Sequence, residues 1–216
     1  MIYLIGGPMR SGKSTLAHKI SKRLSCPEIS VDWLRSVVLP YLYDKDKVVI
    51  ENILFPGEGT SKESPNSDEA GILWPAVNSF IEDRGRWRSD FVLDGIHLLP
   101  KYLTRIGEKQ KQNVRVIILV KTSPEKVLEG FNQVRIRQND WLLKKHWDDK
   151  EYLKQAAHDI ATRGRYFESE AVKYGFQVVN TEDDFEAKLN AIADRIYAEK
   201  QALKAKERQA RIIHSS

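Results

Sequence analysis

Residues 7–14 read Gly-Pro-Met-Arg-Ser-Gly-Lys-Ser, and they constrain the fold of this chain more than any other segment. They match the pattern G-x-x-x-x-G-K-[ST], whose glycines let backbone N–H groups turn towards phosphate oxygens. The apolar residues 2–5 precede the pattern, and residues 13–24 follow it with the spacing of an amphipathic helix. A strand, a phosphate-binding loop and a helix in this order predict a site for the phosphates of a nucleoside triphosphate.

The residue types in this loop have separate chemical tasks. Lys13 reaches the β- and γ-phosphates, Ser14 offers its hydroxyl to Mg²⁺, and the positive end of the following helix points at the anion. A chance match arises in roughly one chain of this length in a hundred, and the flanking strand and helix argue against chance here. For Arg10, a phosphate contact and a solvated side chain both stay open. The predicted nucleotide-binding residues are Gly7, Pro8, Met9, Arg10, Ser11, Gly12, Lys13, Ser14 and Thr15.

A second apolar run, residues 91–93, ends in Asp94 and a glycine. A phosphate-loop protein places its second magnesium partner at such a position, on the carboxyl end of a buried strand. We therefore predict that Asp94 and Ser14 bind Mg²⁺ together, and the alternative is an ordinary aspartate between strand and loop. His97, three residues later, either lines the site or packs in the core.

Asp32 follows a short predicted strand, residues 28–31, and opens a helical segment. Strand ends line the ligand crevice of open α/β sheets, so this carboxylate is placed to orient or deprotonate an acceptor hydroxyl. A helix N-cap is the alternative role for Asp32. Arg35 lies one helical turn later on the same face. It either holds an anionic group of the acceptor or is a plain surface arginine.

Arg135 and Arg137 lie beyond the fourth predicted strand and its helix, in a charged and irregular stretch. We predict a lid over about residues 133–150, and its closure sets guanidinium groups on the transferring phosphoryl group. Arg163 and Arg165 are further candidates, because the glycine between them is expected to interrupt their helix. A solvated basic helix face is the alternative for each arginine.

Strand-like and helix-like segments alternate along the chain, and this alternation predicts an α/β fold with a parallel sheet covered on both faces. The 216 residues, 41% of them hydrophobic, fit one domain with a real core. We divide the chain into one domain over residues 1–199 and a basic tail over residues 200–216. The domain contains an insertion at about residues 44–71 on the acceptor side.

The composition of the chain limits its expected location and its expected partners. No apolar run approaches the roughly 20 residues of a membrane helix, so a membrane partner is not expected. The one cysteine, Cys26, excludes an internal disulfide, and we expect a cytoplasmic location. The formal net charge of +5 is mild and does not compel a nucleic-acid partner.

Three stretches are similar to known kinases: residues 6–17, the tetrapeptide from Asp32 to Arg35, and residues 92–100. They resemble P-loop kinases of the nucleoside-monophosphate-kinase-like superfamily. Within it they are most similar to 2-phosphoglycerate kinase, whose third strand ends in a similar acid-Gly-apolar-His stretch. Adenylate kinases share a Leu-Asp-Gly, but this chain lacks the aromatic, proline and arginine that follow there. Zeta-toxin-like and antibiotic phosphotransferases share the first two stretches.

The resemblance covers about residues 1–181 and implies the three-layer P-loop NTPase fold, with five parallel strands in the order 2-3-1-4-5. That order brings the aspartate at the end of the third strand beside the phosphate loop. The resemblance also implies ATP and Mg²⁺ as ligands, Asp32 facing the acceptor, and Arg135 and Arg137 in the lid. The loop at residues 180–181 would lie near the adenine.

Two departures from the family pattern lie on the acceptor side. Val31 stands where relatives often carry threonine, and the insertion around residues 56–67 differs. The sequence thus predicts an ATP-dependent small-molecule kinase with a hydroxylated or anionic acceptor. Two other functions stay open: a kinase for nucleic-acid ends or nucleotides, and a non-catalytic nucleotide switch. The guanine motif Asn-Lys-x-Asp and the transporter signature Leu-Ser-Gly-Gly-Gln do not occur in the sequence.

Overall fold

A computed structural model describes residues 1–43, 67–87, 89–135 and 149–213. The strands in these ranges are β1 (Ile2–Gly6), β2 (Glu28–Ser30), β3 (Phe91–Gly95), β4 (Val114–Val120) and β5 (Gln177–Asn180). The helices are α1 (Lys13–Leu24), α2 (Val31–Tyr43), α3 (Ser67–Trp87), α4 (Pro100–Leu103), α5 (Glu108–Lys111), α6 (Pro124–Arg135), α7 (Lys150–Lys173) and α8 (Phe185–Ile213). Most of the predicted acceptor-side insertion and most of the predicted lid lie outside the described residues.

The strands form one five-stranded parallel sheet in the order β2-β3-β1-β4-β5. The predicted fold class is therefore confirmed. In the register, Ile5 of β1 lies beside Asp94 of β3, and Ser30 of β2 lies beside Asp94 from the other side. Because parallel strands end at the same edge of a sheet, this register places the phosphate loop, Asp94 and the start of α2 together.

Successive residues of β1 point to opposite faces of the sheet, as the two-residue period of a strand requires. Ile2 and Leu4 join a core cluster with α2, α3 and α7, whereas Tyr3 and Ile5 join a second cluster with α1 and α8. All five residues of β1 are buried. The central strand is therefore held by helices on both faces, which makes the loop that follows it a rigidly mounted element.

The start of α2 differs from its predicted form. The helix begins at Val31, and the Asp32 backbone N–H donates to the Ser30 hydroxyl at 3.2 Å. Ser30 therefore occupies the capping position, and the N-cap role considered for Asp32 is wrong. A serine that directly precedes the helix satisfies a free N–H of its first turn, so the Asp32 carboxylate is available for other contacts.

The glycine in α7 does not interrupt the helix, and the expected break there is wrong. Gly164 lies inside α7, and a Cβ atom at this position would come within 1.8 Å of the Lys121 carbonyl oxygen. Only glycine allows the helix to pass so close to the end of β4. Glycine is therefore required here by the close contact between the helix and the end of the strand, and it does not mark a helix end.

The closing helix α8 runs without a break from the domain into the basic tail. Up to residue 209, where its burial is described, the last buried residue is Ile196, and residues 201–209 are exposed. In the described parts of the chain, no helix combines the length and the apolar character needed to cross a membrane.

Candidate nucleotide and acceptor site

The phosphate loop between β1 and α1 requires glycine at two positions. Gly7 and Gly12 have φ angles of 140° and 98°, in the region that favours glycine. A Cβ atom on Gly7 would lie 2.0 Å from the Leu119 carbonyl oxygen of β4. The loop therefore needs these glycines both for its turn and for its tight seat against the sheet.

Hydrogen bonds inside the phosphate loop fix its conformation. The Ser11 hydroxyl and the Lys13 ammonium both donate to the Pro8 carbonyl oxygen, at 2.9 Å and 2.7 Å. Lys13 is 8% exposed, and burial lowers its pKa to about 8, although Asp94 and Asp32 act in the opposite direction. The ammonium of Lys13 is thus fixed over the loop, close to two carboxylates, where phosphate oxygens would bind.

A residue that the sequence did not single out for this role fastens the loop to the sheet. The fully buried hydroxyl of Thr181, directly after β5, donates to the Ser11 carbonyl oxygen at 2.9 Å. The Thr181 backbone N–H donates to the Val120 carbonyl oxygen of β4 at 3.0 Å. The position of this threonine near an adenine ring stays a prediction, and its contact with the phosphate loop is an observed feature.

Ser14 and Asp94 meet at the predicted magnesium site. The Ser14 hydroxyl donates to Asp94 Oδ2 at 2.8 Å, and Asp94 is 4% exposed. Burial raises the pKa of Asp94, with Asp32 and Glu28 acting in the same direction and Lys13 and the Ser14 hydrogen bond opposing it. Mg²⁺ prefers oxygen ligands and binds through one or two protein groups together with substrate phosphates, so this pair fits the ion. Binding of Mg²⁺ by Ser14 and Asp94 stays a prediction.

For Asp94→Asn we expect a larger loss of magnesium-dependent activity than of magnesium-free nucleotide binding. Asparagine keeps the shape and one carbonyl oxygen but removes the negative charge that a divalent cation requires. The measurement is a magnesium titration of ATP turnover, beside ADP affinity in EDTA. Equal changes in both quantities, or no change in either, would identify Asp94 as a structural residue of β3 with no role towards the ion.

The predicted acceptor residues belong to one chain of contacts. The Asp32 side chain is 59% exposed, and its Oδ1 lies 3.7 Å from Nδ1 of His97. Nε2 of His97 lies 2.7 Å from Glu69 Oε2, and the Arg35 Nε donates to the other Glu69 oxygen. Burial acts to raise the pKa of Glu69, but the hydrogen bonds from His97 and Arg35 outweigh it and hold that pKa below its usual value. The structure thus places His97 beside Asp32 and links Arg35 to the same network.

Glu69 was not found from the sequence. It lies in the first turns of α3, directly after a segment that reads as loop, and nothing local marks its carboxylate as a partner of Arg35. The Arg35 side chain is 40% exposed and its guanidinium forms an ion pair with Glu69, so the alternative of a surface arginine stays open. Its contact with an acceptor stays a prediction.

The lid arginines fall into different positions. Arg135 is the last residue of α6, and Arg137 lies outside the described residues. Arg165 donates to the Thr122 carbonyl oxygen at 2.7 Å and to the Thr162 hydroxyl at 2.9 Å. Those contacts connect α7 to the end of β4. A phosphate role for Arg135 and Arg137 stays a prediction.

No protein-family model and no curated protein matches this sequence. Solved structures with a similar arrangement include shikimate kinase from Acinetobacter baumannii in complex with shikimate, which is 15% identical with a TM-score of 0.48, over 94% of this chain and 94% of that one. The YorR protein of Bacillus subtilis in complex with phosphorylated GDP is 17% identical with a TM-score of 0.48, over 97% and 98%. A gluconokinase from Sinorhizobium meliloti is 14% identical with a TM-score of 0.46, over 92% and 95%. Similarity at this level does not transfer an activity to this chain.

The fold follows from the chain's own geometry. A parallel sheet in the order β2-β3-β1-β4-β5 is combined with a glycine-bounded phosphate loop between its first strand and first helix. A lysine and a serine open that helix, and an aspartate from the adjacent strand meets the serine. This chain therefore has the P-loop NTPase fold.

Proposed function

We propose that this protein is an ATP-dependent phosphotransferase that moves the γ-phosphoryl group to a small hydroxylated or anionic acceptor. One observation carries the proposal. The exposed carboxylate of Asp32 lies in the first turn of α2, and the residue before that helix, Ser30, lies beside Asp94, which contacts Ser14 at the phosphate loop. A carboxylate beside the phosphate loop suits the activation of an acceptor hydroxyl, a task that a non-catalytic nucleotide switch does not have.

The residues divide the reaction between them. Lys13 holds the β- and γ-phosphate oxygens and stabilises the charge that develops on them. Asp32 orients the acceptor hydroxyl and takes its proton as the acceptor oxygen bonds to the γ-phosphorus and the bond to the leaving nucleoside diphosphate breaks. Mg²⁺, when bound by Ser14 and Asp94, neutralises negative charge on the phosphates.

Among possible acceptors we place a phosphorylated hydroxy acid first. The sequence resembles 2-phosphoglycerate kinase, and the acceptor side presents both a carboxylate and a guanidinium. Within the described residues, Arg35 contacts Glu69 through Nε, and no contact is assigned to its outer nitrogens. Those nitrogens match a carboxylate or phosphate group of an acceptor whose hydroxyl is at Asp32. We also propose the cytoplasm as the location of this reaction.

The test is ATP consumption by the purified protein against a panel of phosphorylated acids, sugars, nucleosides and oligonucleotides, with magnesium present. We expect at least one small acceptor to raise the rate well above the acceptor-free rate and to appear as a phosphorylated product by mass spectrometry. If every acceptor leaves the acceptor-free rate unchanged, the phosphotransferase proposal is wrong.

The exposed end of α8 supports a second candidate, a kinase for nucleic-acid ends. Residues 201–209 are exposed and include Lys204, Lys206 and Arg208 against the single acid Glu207. A cationic helix of this kind attracts polyanions, and the attraction weakens as salt rises. If oligonucleotides are the best acceptors in the panel, and their affinity falls steeply between 50 and 200 mM salt on the scale of about 10-fold or more, this candidate replaces the first.

For Arg35→Ala we expect the KM for the acceptor to rise about 10-fold or more, with the KM for ATP unchanged. The variant removes a charge-assisted contact to an anionic group of the acceptor, and such contacts contribute about 1.5–3 kcal/mol. Steady-state kinetics with the acceptor identified in the panel measure both constants. Arg195→Ala, on the exposed face of α8, is the matched control, and an Arg35→Ala variant that behaves like this control would contradict the acceptor role.

A further inference from the structure

His97 contains a polar atom that the packing leaves without a partner. Its side chain is 2% exposed, and in the described parts of the chain Nδ1 has no hydrogen bond. Buried polar atoms nearly always have a partner in folded proteins, so an unpaired ring nitrogen signals an interaction that forms in another state of the molecule. Oδ1 of Asp32 lies 3.7 Å from Nδ1.

The other ring nitrogen of His97 is already assigned. Nε2 lies 2.7 Å from the Glu69 carboxylate, and Glu69 is also paired with Arg35. A carboxylate at this distance accepts a hydrogen bond from Nε2–H and fixes the orientation of the ring. Nδ1 is thereby aimed at Asp32, and a movement of roughly 1 Å by the exposed Asp32 side chain closes a normal hydrogen bond.

The backbone brings these groups together with little room to separate. A Cβ atom on Gly95, at the end of β3, would lie 2.6 Å from the Cβ of Val31, the first residue of α2. The absence of that side chain lets the start of α2 approach the loop that carries His97. The close packing of the end of β3 against the start of α2 therefore sets the position of His97 relative to Asp32.

We infer that His97 is a positioning residue for Asp32, and that Glu69 sets it in place. This inference rests on the proposed function, because it assigns a role towards the acceptor hydroxyl. In this arrangement Nε2–H donates to Glu69 and Nδ1–H donates to Oδ1 of Asp32, which leaves Oδ2 of Asp32 for the hydroxyl. Arg35, Glu69, His97 and Asp32 then form one relay of contacts.

The relay connects two residues of α2 that lie one helical turn apart. Asp32 and Arg35 project from the first turns of α2, and the relay joins them through Glu69 of α3 and through His97 of the loop after β3. The acceptor hydroxyl and an acceptor anion are thereby held at a fixed separation. A histidine that only filled the core would leave that geometry unaffected, and this difference is what the experiment measures.

Two substitutions of His97 separate its two nitrogens. In His97→Gln the side-chain amide nitrogen is as many bonds from Cβ as Nε2, so the contact with Glu69 is kept and the donor to Asp32 is lost. In His97→Asn the amide nitrogen stands where Nδ1 stood, so the donor to Asp32 is kept. We expect His97→Gln to lower the kcat of acceptor-dependent transfer by about 10- to 100-fold with the KM for ATP unchanged, and His97→Asn to recover part of that loss.

A second measurement does not depend on turnover. The ¹⁵N chemical shifts of the His97 ring report on each nitrogen separately, and they are recorded for the parent, Asp32→Asn and Glu69→Gln proteins with a phosphate-loop ligand such as ADP bound. We expect Asp32→Asn to shift the Nδ1 resonance and to leave Nε2 nearly unchanged, and Glu69→Gln to shift Nε2. An Nδ1 resonance that does not respond to Asp32→Asn overturns the inference, whatever the activity of the protein.

The two measurements also separate this inference from the proposed function. If the parent shows no acceptor-dependent ATP consumption but Nδ1 responds to Asp32→Asn, the phosphotransferase proposal fails and the contact of His97 with Asp32 stands. If the parent transfers phosphate and His97→Gln does so at the parental rate, the phosphotransferase proposal stands and the positioning role is overturned. Equal loss of rate in His97→Gln and His97→Asn, with lowered melting temperatures, also overturns it in favour of a packing role.

Discussion

Lys13→Ala is expected to abolish turnover while the fold survives. Its ammonium supplies positive charge to the phosphate oxygens, and loss of such a group removes roughly 3 kcal/mol or more of transition-state stabilisation, a fall of at least about 100-fold. Stability is expected to change little. Burial lowers the pKa of Lys13 to about 8, so the buried ammonium costs stability below that pH, and the cost fades as pH rises towards the unfolded value of 10.5. Alanine removes this cost together with the hydrogen bond to Pro8.

The measurement for Lys13→Ala is the rate of ATP turnover at saturating ATP, beside the melting temperature at pH 7. Lys22→Ala, on the exposed face of the same helix, is the matched control and is expected to keep the parental rate. If Lys13→Ala turns over ATP within a few-fold of the parental rate, the predicted phosphate site is wrong. A low rate with a native melting temperature supports it, since unfolding is then excluded as the cause.

Asp32→Asn is expected to slow phosphoryl transfer by about 10²- to 10⁴-fold and to leave ATP affinity nearly unchanged. Asparagine retains the size of the side chain but cannot accept the hydroxyl proton. ATP affinity depends on the phosphate loop after β1, whereas Asp32 follows β2. Because Ser30 caps α2, the substitution touches no cap, and the melting temperature is expected to stay at the parental value.

Single-turnover transfer to the acceptor and the dissociation constant of ATP are the quantities to compare for Asp32→Asn. Asp83→Asn, an exposed aspartate on α3, controls for the loss of one negative charge. A parental transfer rate with parental melting would refute the catalytic role of Asp32. If Asp32→Asn loses transfer to the acceptor but still hydrolyses ATP slowly with water, Asp32 acts on the acceptor. That result identifies the parent protein as a kinase and not as an ATPase.

Much of the fold was accessible from sequence because its signals are local. The phosphate loop is a continuous pattern, and the two apolar runs β1 and β4 are buried in the structure, β1 throughout and β4 over its last four residues. The strand order came from the resemblance, since periodicity alone does not specify which strands pair. Asp94 could be placed because it closes such a run, and the register sets it beside Ile5 at the base of the loop.

The contacts that complete the site were not accessible, because they join residues that are far apart in the chain. Thr181 and Ser11 are separated by 170 positions, and Glu69 and Arg35 by 34. A single sequence contains no record of such pairs. Gly164 was misread for the same reason: its requirement comes from the carbonyl of Lys121 on another element, and local pattern rules treat a glycine only as a helix breaker.

The bonds inside the phosphate loop have a consequence for the speed of ligand capture. The Lys13 ammonium has the Pro8 carbonyl as its partner, and Thr181 ties the loop to the sheet. An arriving phosphate therefore exchanges one acceptor for another and does not have to wait for a disordered segment to assemble. Association that needs no conformational search proceeds at a rate governed by diffusion and charge, so differences in affinity between nucleotides should arise from how slowly each one leaves.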